Sequence, residues 1–283
     1  MGFKPLYTKL LRQVKLRGQS PSTLNNYGRS LAKLALYFKK PPTEIPDEKI
    51  NDYLILLRDK QSPSESYFKH TVYGLRYTFR LIGRDDRAIR LPSIKRLKQL
   101  PCVLSRDECK LLFATPKLLK HRILLCLIYS AGLRIGEASR LELKDLDFDR
   151  KMIHIRRSKY GKDRYVPLSD LLIKGLHKYF DAERPVRFVF NGKDKHSKLS
   201  VRGIQWCLRQ TVKEAQLTKN VTVHTLRHSY ATHLLEDGVD IHTLMQLLGH
   251  EHVQTTMIYL HVAKVEKGQA HSPFDTLYQP TPS

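Results

Sequence analysis

The chain has 283 residues, with 50 Lys and Arg against 27 Asp and Glu, a formal net charge of +23. This length predicts two domains rather than one, and so large a basic excess favours a polyanionic partner, usually nucleic acid. No apolar run of about 18 residues is present to span a bilayer, and the N-terminus lacks the hydrophobic segment of a signal peptide. The four cysteines form no C-x-x-C pair, which argues against a zinc ribbon and predicts reduced thiols in the cytoplasm.

The N-terminal part predicts three helices within residues 1–90. The first follows a start signal at residues 19–22, and the second runs from Pro46 to Leu57. The third starts after residues 62–64 and is closed by residues 83–87. Apolar side chains recur at steps of three and four in the first helix, which predicts a buried face made of Leu24, Tyr27, Leu31, Leu34 and Tyr37.

Residues 91–101 form a basic segment bracketed by Pro92 and Pro101, with little periodicity. Such a segment predicts a linker between two domains. We therefore expect a helical domain over residues 1–90 and a second domain over 102–283, with a C-terminal tail from 263.

The second domain predicts mostly helices around a small β-hairpin. Residues 105–108 form a capping box that opens a helix, and the apolar helix at 121–129 ends in a turn at Gly132. Two short strands, 152–156 and 164–168, flank a polar tip. The fold class is thus mainly α with a small β-hairpin (α+β), and further helices are predicted at 171–180, 204–215, 226–235, 241–247 and just before Tyr259.

Two C-terminal segments carry residues that suit metal-free attack on a phosphodiester. They are His224-Thr225-Leu226-Arg227-His228, and Leu248-Gly249-His250 followed by Tyr259. Arginine offers a planar donor fork to phosphate oxygens, histidine transfers protons near neutral pH, and tyrosine can form a covalent ester. His224 and Arg227, three apart on a helix, project from the same face.

The ordered motifs resemble those of the tyrosine recombinases, or phage-integrase family, over about residues 102–262. They are Gly132 to Glu137, Lys159 in the hairpin, His224 to His228, Leu248 to His250, and Tyr259. The resemblance implies that the N-terminal helices are the core-binding domain and that the two domains form a C-shaped clamp on DNA. The C-terminal end also resembles integron integrases, although residues 185–200 are too few to hold the segment inserted there in those enzymes.

The resemblance implies how the central residues act. Arg134 and Arg227 would clamp the non-bridging oxygens of the scissile phosphate and stabilise the transition state. Tyr259 would attack phosphorus, leaving a 3′-phosphotyrosine on DNA and a free 5′-hydroxyl.

Supporting roles follow from the same resemblance. Lys159 would protonate the leaving oxygen, with Lys162 as a close competitor on the hairpin tip. His224 would assist as acid or base near the tyrosine, and His250 would hydrogen-bond the phosphate. Glu137 stands where the family has an acidic residue that supports the site.

We expect no cofactor and no metal. The chain has no Gly-rich phosphate loop, so ATP dependence is not predicted. His224, His228 and His233 lie at helical spacing, but no carboxylate or cysteine is placed to complete a zinc site.

The expected function is that of a site-specific DNA recombinase or integrase of a mobile genetic element. It would act on double-stranded DNA at recombination sites through a Holliday junction, as a homo-tetramer, in the cytoplasm at the nucleoid. Accessory DNA-bending or directionality proteins are further partners that the resemblance allows. The alternatives are a chromosome-dimer-resolving recombinase, a type IB topoisomerase and a non-catalytic DNA-binding protein. The tail from 263 would dock on a neighbouring subunit or be a disordered end.

Overall fold

The computed structural model divides the chain into two compact units, Met1–Lys98 and Gln99–Ser283. Three predicted features lie outside the described residues: most of the linker at 91–101, the hairpin tip that carries Lys159 and Lys162, and the tail after residue 263. The residues that the structure describes are 3–17, 21–61, 65–87, 89, 100–156 and 163–263.

Four α-helices and one short 3-10 helix, Pro42–Glu44, make up the described part of the N-terminal unit. Helix α2 packs against α1 and α4, and Leu34, Ile50, Val72 and Leu75 are fully buried in the shared core. The three predicted helices are present at or near their expected positions. The four helices are α1 (Phe3–Leu16), α2 (Pro21–Phe38), α3 (Asp47–Gln61) and α4 (Glu65–Leu81).

Two features of this unit differ from the sequence prediction. Helix α1 was not predicted, although Leu6, Leu10 and Val14 are buried at four-residue steps and proline is tolerated in a first helical turn. Tyr37 was wrongly placed on the buried face of α2, because its side chain is 56% exposed. It lies in the last turn of α2, where its ring packs against Phe38 and Tyr53, with centroids 4.9 and 4.8 Å away.

The C-terminal unit is helical around a small antiparallel sheet, so the predicted fold class is confirmed. The capping box at Ser105 opens α5, with Ser105 and Glu108 bonding each other's backbone N–H groups. The helices are α5 (Arg106–Ala114), α6 (Leu119–Ser130), α7 (Ile135–Arg140), α8 (Asp170–Glu183), α9 (Val201–Glu214), α10 (Val223–Glu236), α11 (Ile241–Leu248) and α12 (Gln254–Met257).

The sheet has three strands in the order β1 (Leu146–Asp147), β2 (Met152–Ile155) and β3 (Arg164–Pro167). Strands β2 and β3 pair as predicted, with Ile153 opposite Val166 on the buried face. Strand β1 was not predicted, because two residues are too short to show the alternation of a strand.

Helix α6 is the centre of this unit and packs against both α8 and α10. A second apolar cluster joins α10, α11 and the segment after α12, and it contains Tyr230, Leu244, Leu248 and Tyr259. This packing brings the C-terminal motifs next to the turn that follows α6.

The described part of the chain contains no helix that is both long and apolar enough to cross a membrane. All four cysteines are free thiols. Within the described ranges, no group of three or more His, Cys, Asp or Glu side chains is arranged to hold a metal ion.

Candidate active site

A glycine turn after α6 presents Arg134 to the site. Gly132 has φ +54°, and a Cβ there would lie 2.5 Å from the Tyr230 ring, so both the turn and the packing require glycine. Arg134 is the residue before α7, and its backbone N–H donates to Glu137 Oε2 at 2.8 Å. Its Nη2 donates to the carbonyl of Gly249 at 3.1 Å, which links this turn to the end of α11.

The buried carboxylate of Glu137 is the hub of an ion cluster. It accepts from Arg134 Nη1 at 2.9 Å and takes both Nη groups of Arg164, at 2.9 and 2.8 Å. Arg227 Nη1 lies 4.0 Å from its Oε2. Burial alone would favour the neutral acid, but the hydrogen bonds and charge of Arg164, followed by those of Arg134, lower the pKa of Glu137 to about 2. The cluster therefore holds three guanidinium groups against one carboxylate.

Arg164 is a component of this cluster that the sequence analysis missed. It lies at the start of β3, is buried, and donates from Nε to the carbonyl of Leu247 at 2.8 Å. The sequence carried a signal for it, because side chains alternate along a strand and Arg164 therefore lies on the same inward face as Val166. Arg164 thus joins the hairpin strand to Glu137 and to the end of α11.

Arg227 is almost fully buried on α10. Its Nη1 and Nη2 donate to the carbonyls of Gly132 and Leu248, and Nη2 also lies 3.2 Å from Nε2 of His250. Burial and the charge of Arg134 lower the pKa of Arg227 to about 9, so the guanidinium stays charged at neutral pH. The two arginines of the motifs therefore belong to one positively charged cluster.

His250 follows Gly249, the residue that ends α11 in the left-handed conformation at φ +61°. Since arginine is only a donor, His250 Nε2 accepts from Arg227, and its Nδ1–H donates to Thr256 Oγ1 at 2.9 Å. The pKa of His250 is lowered to about 3, first by burial and then by the charges of Arg227, Arg134, Arg164 and His228. The imidazole is therefore neutral at physiological pH.

Tyr259 lies just after α12 with only 2% of its surface exposed. Its hydroxyl is 3.0 Å from Nδ1 of His228, and its ring stacks on His250 at 11° with centroids 6.5 Å apart. Burial raises the pKa of Tyr259, while the charges of Arg227 and Arg134 oppose that rise. The phenol is therefore protonated at neutral pH, in the field of the two arginines.

Two histidines of α10, His224 and His228, lie one turn apart near the arginines. His224 lies one turn before His228 on α10, with its side chain exposed and ring centroids 6.4 Å apart. Partial burial, then Arg227 and Arg134, lower the pKa of His224. His228 belongs to the same sequence motif but was not predicted to be a site residue, and it contacts the tyrosine hydroxyl. Lys159 lies outside the described residues.

Comparisons with known proteins show the family to which the chain belongs. The profile of the phage integrase family matches residues 102–266. The chain is 32% identical to the integrase/recombinase named y4qK of Sinorhizobium fredii, over 99% of this chain and 91% of that one. It is 35% identical to a tyrosine recombinase of Thermosipho africanus, over 90% and 94% of the two chains. The crystal structure of XerH site-specific recombinase bound to its difH substrate shares the fold, with TM-score 0.71 and 21% identity over 88% of this chain and 78% of that one.

The fold and the ordered motifs define an enzyme that cleaves and rejoins DNA strands at specific sites. The chain belongs to the phage integrase family, the tyrosine recombinases.

Proposed function

We propose that Arg134 and Arg227 bind the scissile phosphate and that Tyr259 attacks its phosphorus atom. The observation that carries this proposal is the convergence of all three side chains around Glu137 and His250, from three separate parts of the chain. Three guanidinium groups against one carboxylate leave an excess of two positive charges. A phosphodiester brings one negative charge, and its five-coordinate transition state brings two, so the charge of the cluster matches the charge that develops.

The proposed covalent step has one bond formed and one bond broken at phosphorus. Tyr259 Oη forms a bond to phosphorus while the bond to the 5′-oxygen breaks, which leaves a 3′-phosphotyrosine. Lys159 protonates the departing oxygen, with Lys162 as the alternative donor, and His224 assists as an acid or base near the tyrosine. His250, which lies 3.2 Å from Arg227, hydrogen-bonds the phosphate. The ester keeps the energy of the original bond, so a second 5′-hydroxyl can reverse the step without a nucleotide cofactor.

The biological substrate that we propose is double-stranded DNA at the recombination sites of a mobile genetic element. The similarity to y4qK, a protein named as an integrase/recombinase, over 99% of this chain supports the choice. Residues 1–90 serve as the core-binding domain, residues 91–101 as the linker and 102–283 as the catalytic domain. The chain acts as a homo-tetramer through a Holliday junction at the nucleoid, with accessory bending or directionality proteins where the element supplies them.

A covalent-trapping assay tests the proposal. Nicked duplexes from the DNA that flanks the gene are incubated with the protein, and adducts are separated on denaturing gels. Wild type forms a sequence-dependent adduct, and Tyr259→Phe forms none while binding the DNA equally well. Tyr230→Phe is the matched control, because Tyr230 is buried in the same apolar cluster and only its hydroxyl is removed.

Each alternative outcome has a distinct meaning. Adducts from Tyr259→Phe would reject this tyrosine as the nucleophile. Adducts on every duplex would indicate a type IB topoisomerase, and adducts on chromosomal sites rather than on the ends of an element would indicate chromosome-dimer resolution.

A further inference from the structure

Two histidines one turn apart on α10 lie at the site, and one of them contacts the nucleophile. We propose that His228 accepts the phenolic proton of Tyr259 when the tyrosine attacks phosphorus. The inference rests on the proposed function, in which Tyr259 is the nucleophile. Its basis is the 3.0 Å distance between His228 Nδ1 and Tyr259 Oη, which is hydrogen-bond distance for a direct proton transfer.

The helix holds His228 where this contact can form. Arg227 and His228 are neighbours in the middle of α10, and Arg227 is anchored by the carbonyls of Gly132 and Leu248. That anchoring also sets the direction of the next side chain, and the His228 ring meets the Tyr259 ring with centroids 5.5 Å apart. The position of the base is therefore coupled to the position of the phosphate clamp.

The protonation states of the two partners suit a transfer from tyrosine to histidine. Burial, then the positive surroundings of His224 and Arg227, lower the pKa of His228, so its ring is neutral at pH 7. The raised pKa of Tyr259 keeps its hydroxyl protonated. The hydroxyl can then donate to an unprotonated Nδ1, with the ring proton on Nε2. The titratable and charged groups that face this pair are His224, Arg227, His250 and Arg134.

The other histidines of the site are less well placed for this step. His250 Nε2 already accepts from Arg227, and its Nδ1–H donates to Thr256, so neither nitrogen is a free acceptor. His224 is exposed and lies a full turn from His228. We therefore assign the base at the tyrosine to His228 rather than to His224.

The step balances in atoms and charge. The bond from Tyr259 Oη to phosphorus forms, the bond from phosphorus to the 5′-oxygen breaks, and the phenolic proton moves to His228 Nδ1. Lys159 delivers the proton that completes the 5′-hydroxyl. On religation the incoming 5′-hydroxyl returns its proton to the lysine, and His228 returns its own proton to the departing phenol. No oxidant, reductant or metal is needed.

The test is the rate of adduct formation on a nicked duplex under single-turnover conditions between pH 5.5 and pH 9.5. His228→Asn is the decisive variant, because its side-chain oxygen can accept the hydroxyl hydrogen bond but cannot take the proton. His228→Gln is a second variant, and His242→Ala, which removes an exposed histidine of α11, is the control that keeps the wild-type rate. Urea unfolding followed by fluorescence of the single tryptophan, Trp206, verifies that each variant is folded.

Removing the proton acceptor should slow the reaction most at neutral pH, where the phenol is not ionised. We expect His228→Asn and His228→Gln to react about 10²-fold to 10⁴-fold more slowly than wild type at pH 7. The ratio of wild-type to variant rates should fall by about tenfold per pH unit toward pH 9.5, because the phenol then ionises without help. Wild type should lose rate in acid as His228 becomes protonated.

Two results would overturn the assignment. If His228→Asn reacts like wild type, the contact only positions the hydroxyl. If both variants are slowed by the same factor at every pH, the role of His228 is structural. Failure of the proposed function is a separate result, because Tyr259→Phe would then still form adducts whatever the behaviour of the His228 variants.

Discussion

Replacing Glu137 with glutamine tests the electrostatic balance of the candidate site. The variant keeps the size of the side chain but removes the one carboxylate that faces Arg134, Arg164 and Arg227. The pKa of Glu137 falls from an ordinary 4.5 to about 2, and each pKa unit corresponds to about 1.4 kcal/mol. The ionised carboxylate therefore stabilises the folded unit by about 3 kcal/mol at pH 7. Because the arginines stay buried without it, we expect Glu137→Gln to lower the free energy of unfolding by about 3 to 5 kcal/mol.

The dependence on pH has a definite sign. A carboxylate whose folded pKa is depressed contributes its stability above the unfolded pKa, here 4.5, and loses it as pH falls toward about 2. The gap between wild type and Glu137→Gln should therefore be constant from pH 7 to pH 5.5 and smaller by about 1 kcal/mol at pH 3.5.

Urea unfolding followed by Trp206 fluorescence measures this gap in the relevant unit, because the only tryptophan lies on α9. Glu142→Gln is the matched control, since Glu142 pairs with Arg187 and Lys144, whose side chains are largely exposed. That control should change the free energy of unfolding by less than about 1 kcal/mol. The reasoning is refuted if Glu137→Gln is no more destabilising than Glu142→Gln, or if its effect does not shrink in acid.

Three further predictions concern the backbone, the phosphate clamp and DNA affinity. Gly249→Ala should lower the free energy of unfolding by about 1–2 kcal/mol in the same urea assay. Gly249 has φ +61°, and a Cβ there would lie 3.1 Å from Arg164 Cδ. Wild-type stability of this variant would contradict the prediction. Arg134→Ala should slow adduct formation by about 10²-fold to 10³-fold, whereas Arg187→Ala should keep the wild-type rate; equal rates would remove Arg134 from the clamp. Raising salt from about 50 mM to 200 mM should weaken DNA binding by about 10³-fold in a fluorescence-anisotropy titration, and a flat response would contradict a binding mode dominated by phosphate contacts.

Local sequence patterns predicted most of the secondary structure. The capping box at Ser105, the turn at Gly132 and the alternation in β2 and β3 all depend on residues close in sequence, and all are present. Helix α1 and strand β1 escaped notice because the first carries Pro5 in its first turn and the second is only two residues long.

The sequence by itself determined the class of the protein, because the order and type of the motif residues identify the chemistry without reference to their positions in space. The net charge of +23 also indicated that the chain binds a polyanionic partner. Only the tertiary structure decided which neighbouring side chains meet. The family resemblance gave the role beside the tyrosine to His224, but the path of the chain from α11 through α12 brings the Tyr259 hydroxyl to His228. Arg164 joins the site for the same reason, since a strand distant in sequence packs its inward face against Glu137.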